Sequence, residues 1–454
     1  MHQINLDLSL KEICKIEGGA SLDLSIKNNK VTKCHFKITE YKRFYTQAIK
    51  GKPALAAPAL LARICGTCSN AHILAAIEAV EQAFKIIPSK QTQTLRRLIN
   101  NGLIIRDHAL HLYIFVLPDL FNQDSLLDFD EKDPHQHQLL HDTFDVKDAG
   151  NQLSILTGGR SVHAPLPMVG GFTKFPEKTK TKEVIAKLQA IRPAVLRLIK
   201  IFANSKFHQL QQIPYLAIKD PTYSYILGRV ISSDGIDIPS EEYRGQLEHK
   251  DLTYSQAAAY TYKQGFYMTG ALARINLNKD ALNKKTKQDT ASSLSLFPSK
   301  NIHHNNLAQA IEILNAIDDS LNILTNTTFV PEPLLKASIS TGTGFGVVEA
   351  PRGILYHRLT IENNLVKDAE ILVPTGQNQL NIQNDIKILV DSHLQKGDSL
   401  TGDPAECRVG TAKLEGVTLT KKLRQSLEYQ IEILIRAYDP CMSCAAHFLK
   451  INWK

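Results

Sequence analysis

The chain has 454 residues, of which 43% are hydrophobic and 22% are charged, with 24 Gly and 19 Pro. This ordinary globular composition excludes collagen-like, disordered and low-complexity proteins. The formal charge of +8, from 53 basic and 45 acidic residues, is small for the length, and no basic block stands out, so we expect no nucleic-acid partner.

In chain order, a β-hairpin comes first, helices dominate the middle, and a second hairpin precedes the last helix. Residues 21–39 alternate apolar and polar side chains around Asn28-Asn29, and residues 356–373 do so around Asn363-Asn364, which predicts two hairpins. The Gly- and Pro-rich residues 158–176 predict a loop, and the polar residues 279–300 predict a surface insertion or mobile loop. Apolar residues recurring at helical spacing predict helices over residues 71–84, 94–116, 183–208, 306–326 and 421–438.

These elements predict an α+β fold that is predominantly helical, with a central helix bundle and small β-hairpins or sheets. The long helices beginning at residues 94 and 183 carry the apolar stripes that would form the bundle. The most apolar stretch, residues 110–121, is shorter than the ~20 residues that span a membrane, and residues 1–10 lack the pattern of an export signal. We therefore expect a cytoplasmic protein, or one associated with a membrane only through partner subunits.

Two CxxC motifs mirror each other from opposite ends of the chain. A CxxC turn places two thiolates near one point, so two such turns would supply four sulfur ligands for a soft or borderline metal such as Ni, Fe, Zn or Cu(I). The three other cysteines, at positions 14, 34 and 407, have no assigned partner, and we expect buried free thiols there. The motifs are Cys65-Gly66-Thr67-Cys68, followed by His72, and Cys441-Met442-Ser443-Cys444, followed by His447.

A structural zinc site is the first alternative for two such motifs. Zinc ribbons separate their CxxC pairs by ~15–20 residues, whereas most of this chain lies between Cys68 and Cys441. A chain of this length also buries a core without a metal staple. Both arguments disfavour zinc, but four thiolates alone do not name the metal.

The two motifs also carry a resemblance to a known family. Residues 63–72, RICGTCSNAH, and residues 439–447, DPCMSCAAH, resemble the paired signatures of the large, catalytic subunit of nickel–iron (NiFe) hydrogenases. The resemblance covers essentially the whole chain and implies the large-subunit fold of that family. Shorter segments that resemble the family in the same order are KIEG at 15–18, GGR at 158–160, GALAR at 270–274, EAPRG at 349–353 and VPT at 373–375.

The resemblance implies a bimetallic cofactor. In that family four cysteines hold a nickel ion, and two of them bridge to a low-spin iron that carries cyanide and carbon monoxide, an Ni-Fe(CN)2(CO) centre. By motif position, Cys65 and Cys441 would be terminal ligands of nickel, and Cys68 and Cys444 would bridge nickel and iron.

Four residues are implied to be catalytic. Glu17 matches the family's proton-gate glutamate and would shuttle a proton to or from a terminal cysteine, Cys441; without the resemblance, a glutamate before two glycines indicates a turn. Arg352 matches an arginine over the open face of the two metals, positioned by carboxylates that match Asp119 and Asp439.

The remaining implied site residues surround the metals. His72 would donate a hydrogen bond to a cysteine sulfur rather than bind metal. Pro374 and Thr375 match the segment that lines the iron's diatomic ligands, where Thr375 would donate to a cyanide nitrogen. His447 matches a residue near a separate magnesium or second iron ion, but Thr46 stands where the family's usual carboxylate would be, which weakens the case for that ion.

The resemblance also implies partners. Two electrons leave such a site for each hydrogen molecule split, and the chain has no further CxxC sets, so an iron–sulfur small subunit would hold the clusters and pass electrons to further subunits. Nickel-insertion and maturation proteins would load the site. A C-terminal endopeptidase would then remove the tail, residues 448–454, from a single domain of residues 1–447, unless the protein matures without cutting.

The leading interpretation is a hydrogenase subunit that reversibly and heterolytically converts molecular hydrogen to protons and electrons. A hydrogen sensor in a signalling complex would keep the same ligands and turn over slowly, so the sequence does not separate it from the enzyme. A zinc-stapled structural subunit, or a relative of respiratory-complex subunits that have lost the cysteines, is the third interpretation. Retention of all four thiols argues against that relative.

Overall fold

The computed structural model describes residues 6–41, 44–337, 340–396 and 421–446. Their helices are α1 (Tyr45–Ala48), α2 (Ala57–Leu61), α3 (Ser69–Ala83), α4 (Lys90–Ala109), α5 (Leu117–Leu120), α6 (Pro134–Gly158), α7 (Lys178–Ala203), α8 (Ala271–Asn278), α9 (Lys284–Asp289), α10 (Ala291–Leu294), α11 (His304–Asn326), α12 (Pro374–Lys396), α13 (Lys421–Ala437) and α14 (Met442–Ala445).

The strands of the same residues are β1 (Leu6–Leu10), β2 (Ala20–Lys27), β3 (Lys30–Ile38), β4 (Pro167–Met168), β5 (Gly171–Phe172), β6 (Leu216–Lys219), β7 (Arg229–Ser232), β8 (Asp237–Pro239), β9 (Leu247–Lys250), β10 (Ala259–Tyr262), β11 (Gly342–Ala350), β12 (Gly353–Glu362) and β13 (Leu365–Leu372). They pair in small antiparallel sheets of two or three strands, in the orders β1-β2-β3, β4-β5, β6-β7-β8, β10-β9 and β11-β12-β13.

Both predicted hairpins are confirmed. β2 pairs with β3 around Asn28-Asn29, and β12 pairs with β13 around Asn363-Asn364. All four asparagines have a positive φ, a conformation that asparagine tolerates better than most residues. Each hairpin gains a third strand, β1 or β11, so that it becomes a sheet.

The predicted helices are confirmed with shifted ends, as α3, α4, α7, α11 and α13. α4 passes into a π-helix at Leu110–Val116, and α7 ends at Ala203 rather than at residue 208. Among the long helices, α6 and α12 were not predicted, and neither were the shorter ones. The prediction of a surface insertion at residues 279–300 is wrong, because this segment forms α9 and α10 and buries Thr286, Thr290 and Phe297.

Four long helices form the predicted central bundle. α4 packs against α6 and α11, and α7 packs against the same two helices, so α4 and α7 lie across the bundle from each other. α6 approaches α4 closely because both have glycine at the contact: a Cβ atom on Gly150 would lie 2.6 Å from the backbone nitrogen of Arg106, and one on Gly102 would lie 2.5 Å from the Ser154 hydroxyl. Helix backbones this close leave no space for a side chain.

α3 lies on the sheet of β11, β12 and β13. Gly342, Gly344 and Gly346 alternate along β11 on the side that faces α3, and a Cβ on Gly346 would lie 1.8 Å from the carbonyl oxygen of Ala75. Glycine in a strand often marks such a close backbone approach. Since α3 begins directly after Cys68, this packing also sets the position of the first CxxC motif, and all four motif cysteines belong to the main apolar core.

Candidate metal centre

Four cysteine sulfurs meet inside the main core. The Sγ atoms of Cys65, Cys68, Cys441 and Cys444 are buried and lie within 4.8 Å of one another. Cys65 and Cys441 are 3.5 Å apart, and Cys68 and Cys444 are 2.7 Å apart. Within the described part of the chain, this is the one group of three or more His, Cys, Asp or Glu side chains arranged to hold a metal ion. The two distant ends of the chain therefore meet.

The first CxxC turn is held by the start of α3 and by a buried arginine. Cys68 is the N-cap residue of α3. Hydrogen bonds with Cys441 and Cys444 lower the pKa of Cys68, but its contact with Cys65 and its burial raise that pKa to about 11. Arg106 on α4 donates hydrogen bonds to the carbonyl oxygens of Thr67 and Ser161. These bonds tie the turn to the helix bundle.

The second CxxC turn is held against the amino-terminal segment and the start of α12. The N–H of Met442 donates to the carbonyl oxygen of Glu17 at 2.9 Å, and the N–H of Cys441 donates to Oγ1 of Thr375 at 2.8 Å. Gly18 has a φ of +80°, and a Cβ there would lie 2.9 Å from Cβ of Met442. Glycine at position 18 therefore permits both the turn and the close approach of the two segments.

The carboxyl group of Glu17 contacts the thiol of Cys441. Cys441 Sγ donates to Oε2 of Glu17 at 3.0 Å, and the N–H of Ser443 donates to the same oxygen at 3.1 Å. Burial, followed by the negative charge of Cys65, raises the pKa of Glu17 above its ordinary value. The predicted proximity of Glu17 to Cys441 is thus observed, and its role in proton transfer stays a prediction.

Arg352 is buried between two carboxylates. Its Nη1 donates to Asp107 at 2.6 Å, and its Nη2 lies 2.9 Å from Oδ1 of Asp439. Burial alone would lower the pKa of Arg352, but the charges of Asp107 and Asp439, and then those of Cys441 and Cys68, raise it well above its ordinary value. The guanidinium is therefore a permanent positive charge near the four sulfurs, and its predicted contact with Asp439 is observed.

The prediction that Asp119 positions Arg352 is wrong. Asp119 accepts hydrogen bonds from Nε and Nη2 of Arg436 at 2.6 and 3.0 Å and from Nζ of Lys15 at 2.6 Å, and Asp107 takes the place expected for Asp119. Lys15 lies on the segment that leads to Glu17, and Arg436 lies in the last turn of α13, which leads to the second CxxC motif. Asp119 therefore joins the two chain ends that build the site.

Three further predicted residues lie beside the sulfurs. Nε2 of His72 is 3.7 Å from Sγ of Cys444, which suits the predicted hydrogen bond to a cysteine sulfur. Pro374 and Thr375 begin α12. The Thr375 hydroxyl oxygen accepts a bond from Cys441, and its proton remains able to donate to another group.

The predictions for an outer ion and for the three remaining cysteines are tested only in part, because some of these residues lie outside the described ones. Thr46 is buried in α1, while His447, the tail at residues 448–454 and Cys407 lie outside the described residues. Cys34 is buried as predicted, and burial raises its pKa to about 12. Cys14 is exposed, so the prediction of a buried thiol is wrong there, because β1 ends before it and the chain is an irregular surface segment at that point.

The charge preferences of the four thiols fit a bound cation. Burial raises the pKa of Cys441 and of Cys444 well above the ordinary value for a thiol, whereas hydrogen bonds from Cys441, Cys444 and Cys68 lower the pKa of Cys65 well below it. The cluster alone therefore favours one thiolate among protonated neighbours. A metal would replace those protons and keep all four sulfurs as thiolates, a soft donor set suited to nickel and iron.

Several residues at the site were not predicted from the sequence. Arg106 and Asp107 had a signal, because they are adjacent charged residues in the mostly apolar segment LIIRDHAL at residues 103–110. Gln309 on α11 donates to Oδ2 of Asp439 at 2.9 Å, and His357 on β12 lies 3.1 Å from His72. No local pattern marks either of these two.

Similarity to known proteins extends over almost the whole chain. A model of the family described as nickel-dependent hydrogenase matches residues 43–155. The alpha subunit of sulfhydrogenase 1 from Pyrococcus furiosus is 30% identical over 457 residues, covering 99% of this chain and 100% of that protein, and the alpha subunit of sulfhydrogenase 2 from the same organism is 28% identical over 446 residues, covering 98% and 100%.

Solved structures share the fold. An NAD+-reducing NiFe hydrogenase in its H2-reduced state has a TM-score of 0.81 and 22% identity, covering 98% of this chain and 100% of that one. The NiFeSe hydrogenase of Dm. baculatum has a TM-score of 0.73 and 19% identity, covering 98% of this chain and 100% of that one. The predicted helix-rich large-subunit fold is thereby confirmed.

The fold and the four-sulfur centre define a large, metal-binding subunit. With the sequence similarity along its full length, the chain belongs to the nickel-dependent hydrogenase family. It is an enzyme of that class, an oxidoreductase that acts on hydrogen and binds nickel and iron. In the part of the chain that the structure describes, no helix is both long and apolar enough to cross a membrane.

Proposed function

We propose that this chain is the catalytic subunit of a NiFe hydrogenase that reversibly and heterolytically splits H2 into two protons and two electrons. The observation that carries the proposal is the convergence of four buried cysteine sulfurs within 4.8 Å of one another. A carboxyl group and a guanidinium lie beside them. The protons would leave through side chains of this subunit, and the electrons through a partner.

The cofactor would be an Ni-Fe(CN)2(CO) centre. When bound, it supplies the redox chemistry that takes up the electron pair of the H–H bond. Thr375 would donate a hydrogen bond to a cyanide ligand, and Pro374 would line the same side. The terminal nickel ligands would be Cys65 and Cys441, and the bridging ligands Cys68 and Cys444.

Protons would pass between a sulfur and a carboxyl group. Sγ of Cys441 would hold the proton, and Oε2 of Glu17, at 3.0 Å, would accept it within one hydrogen bond. The raised pKa of Glu17 lets the carboxyl group hold a proton closer to neutral pH than an exposed glutamate does. Arg352, held by Asp107 and Asp439, would keep a fixed positive charge at the open face of the centre.

The electron path and maturation require other proteins. An iron–sulfur small subunit would take the electrons and pass them to further electron-transfer subunits. The relatives from Pyrococcus furiosus are named as alpha subunits, which supports an assembly of more than one subunit. Nickel-insertion and maturation proteins would load the centre, and an endopeptidase would cut after His447, separating residues 448–454 from the domain of residues 1–447. A magnesium or second iron ion near His447 would need other ligands than Thr46. The complex would be cytoplasmic, or membrane-associated through its partners.

Metal analysis and infrared spectroscopy of the complex purified with its partner test this function. We expect nickel and iron in comparable amounts, together with cyanide and carbon monoxide stretching bands. Zinc as the sole metal, or a fully matured complex without those bands, would refute it. Turnover with hydrogen separates the enzyme from a sensor, because the enzyme should consume the gas continuously with an electron acceptor.

A further inference from the structure

A second histidine lies behind His72, on the side away from the cysteines. His357 on β12 is fully buried, and its Nε2 lies 3.1 Å from Nδ1 of His72, with the ring centroids 5.2 Å apart. The other nitrogen of His72, Nε2, lies 3.7 Å from Sγ of Cys444. The two rings thus form a line of hydrogen bonds that ends on a sulfur of the metal centre.

The cysteine at the end of this line of hydrogen bonds determines which ring nitrogen donates at each step. A metal-bound cysteine is a thiolate and accepts hydrogen bonds only. Nε2 of His72 must therefore carry the proton that points at Cys444. In a neutral imidazole the other nitrogen, Nδ1, is then an acceptor, so the proton between the two rings belongs to Nε2 of His357.

The surroundings of His357 agree with this order. Its Nδ1 is buried and has no hydrogen-bond partner among the described residues. A bare lone pair is tolerated there better than a buried N–H without an acceptor. Burial lowers the pKa of His357 well below its ordinary value, and the neighbouring His72 lowers it further, so the ring is neutral with one proton, on Nε2.

The opposite tautomer of His357, with its proton on Nδ1, leads to an unfavourable contact at the Cys444 sulfur. If His357 carried its proton on Nδ1, that N–H would be buried without an acceptor. Its Nε2 would then accept from Nδ1 of His72, and a neutral His72 would turn a lone pair toward the Cys444 thiolate. Two lone pairs would face each other inside the core, where such a contact is unfavourable.

We propose that His357 is a positioning residue of the metal centre: it donates its Nε2–H to Nδ1 of His72 and so fixes the tautomer of His72 that donates to Sγ of Cys444. The proposal rests on the proposed function in one respect, namely that Cys444 is a metal-bound thiolate. A hydrogen bond to a bridging thiolate withdraws electron density from the metals, so His357 tunes the centre without touching it.

Two substitutions of His357 distinguish the effect of its N–H donor from the effect of the space that its ring fills. His357→Gln keeps an N–H donor near the place of Nε2, whereas His357→Leu fills the space and donates nothing. The readout is the set of cyanide and carbon monoxide bands of the loaded complex, at nickel and iron contents equal to those of the parent. Weaker hydrogen bonding to Cys444 leaves more electron density on iron, which weakens the bonds of its diatomic ligands.

We expect the bands of His357→Leu to shift to lower wavenumber, in the same direction as those of His72→Leu, and the bands of His357→Gln to lie near those of the parent. In a His72→Leu background, His357→Leu should add no further shift. Bands of His357→Leu at the parent position, an equal shift in His357→Gln, or a further shift without His72 would each overturn the proposal.

A second measurement does not depend on metal loading of the leucine variant. The 15N chemical shifts of labelled histidine in the full chain identify the protonated ring nitrogen, and the His357→Gln variant identifies the signals of His357. We expect the proton on Nε2 of His357 and on Nε2 of His72, and a proton on Nδ1 of His357 would overturn the proposal even if the leucine variant bound no metal. A parent complex without nickel or diatomic bands would instead refute the proposed function and leave the tautomer result to stand separately.

Discussion

Asp119→Asn should loosen the junction between the two chain ends that build the metal centre. Asp119 is buried and accepts hydrogen bonds from Arg436 at 2.6 and 3.0 Å and from Lys15 at 2.6 Å. Asparagine has nearly the same volume but no charge, and its amide N–H2 would face other donors. The guanidinium of Arg436, which is 1% exposed, would lose its main counter-charge.

The size of the effect follows from this burial. Removing one partner of a buried ion pair costs roughly 3–5 kcal/mol. Arg436 keeps Glu432 at 3.1 Å, a carboxylate that is 24% exposed, so we expect the lower end of that range, about 3 kcal/mol. The ammonium group of Lys15, whose side chain is 16% exposed, would lose the same carboxylate, which keeps the total cost within roughly 3–5 kcal/mol. A change of about 3 kcal/mol raises the population of the opened junction on the order of 100-fold.

Hydrogen exchange at one amide measures this opening. The N–H of Met442 bonds to the carbonyl oxygen of Glu17 across the junction at 2.9 Å, so its exchange in chain purified before metal loading should be about 100-fold faster in the variant. Asp148→Asn is the matched control, because Asp148 pairs with Lys187 at 2.6 Å on the surface, where a pair is worth about 0–1 kcal/mol. Equal protection of Met442 in Asp119→Asn and in the parent would refute the reasoning.

Three further changes test the site and the fold. Cys65→Ser should abolish nickel retention and activity, because a hydroxyl is a harder and less acidic ligand than a thiol. If mass spectrometry of the purified Cys65→Ser complex shows its full nickel content, the ligand assignment is contradicted. Glu17→Gln should keep both metals and slow hydrogen–deuterium exchange by roughly 100-fold or more, whereas Glu248→Gln, at a surface glutamate paired with Lys250, should exchange at the parent rate. An exchange rate of Glu17→Gln equal to that of the parent would show that protons take another path. Gly150→Ala should lower the free energy of unfolding by about 1–3 kcal/mol, since its Cβ would lie 2.6 Å from the backbone of α4. The control Gly245→Ala, with open space around the new Cβ, should change that free energy by less than about 0.5 kcal/mol. Equal urea midpoints for the two variants would mean that α4 and α6 move apart without strain.

Local patterns in the sequence were sufficient for the hairpins, for most of the long helices and for the four clustered cysteines. Asn28-Asn29 defines its turn because a turn depends on two residues, and a CxxC motif presents two sulfurs because its spacing spans one turn. The same approach was wrong at residues 279–300. Thr286 is polar, yet it is buried because its hydroxyl donates to Asp318 on α11 at 2.8 Å, and the polarity of a segment does not show which helix will cover it.

The sequence by itself determined which chemical groups were available: four thiols in two pairs, a glutamate before two glycines, and an arginine at a turn. Only the tertiary structure decided which of them face each other. Asp107 rather than Asp119 holds Arg352, across 245 positions of the chain, and His357 meets His72 across 285. The physical reason is that a hydrogen bond requires two atoms within about 3 Å, and that distance is set by how α3, α4 and the sheet of β11–β13 pack, which no local pattern of residues encodes.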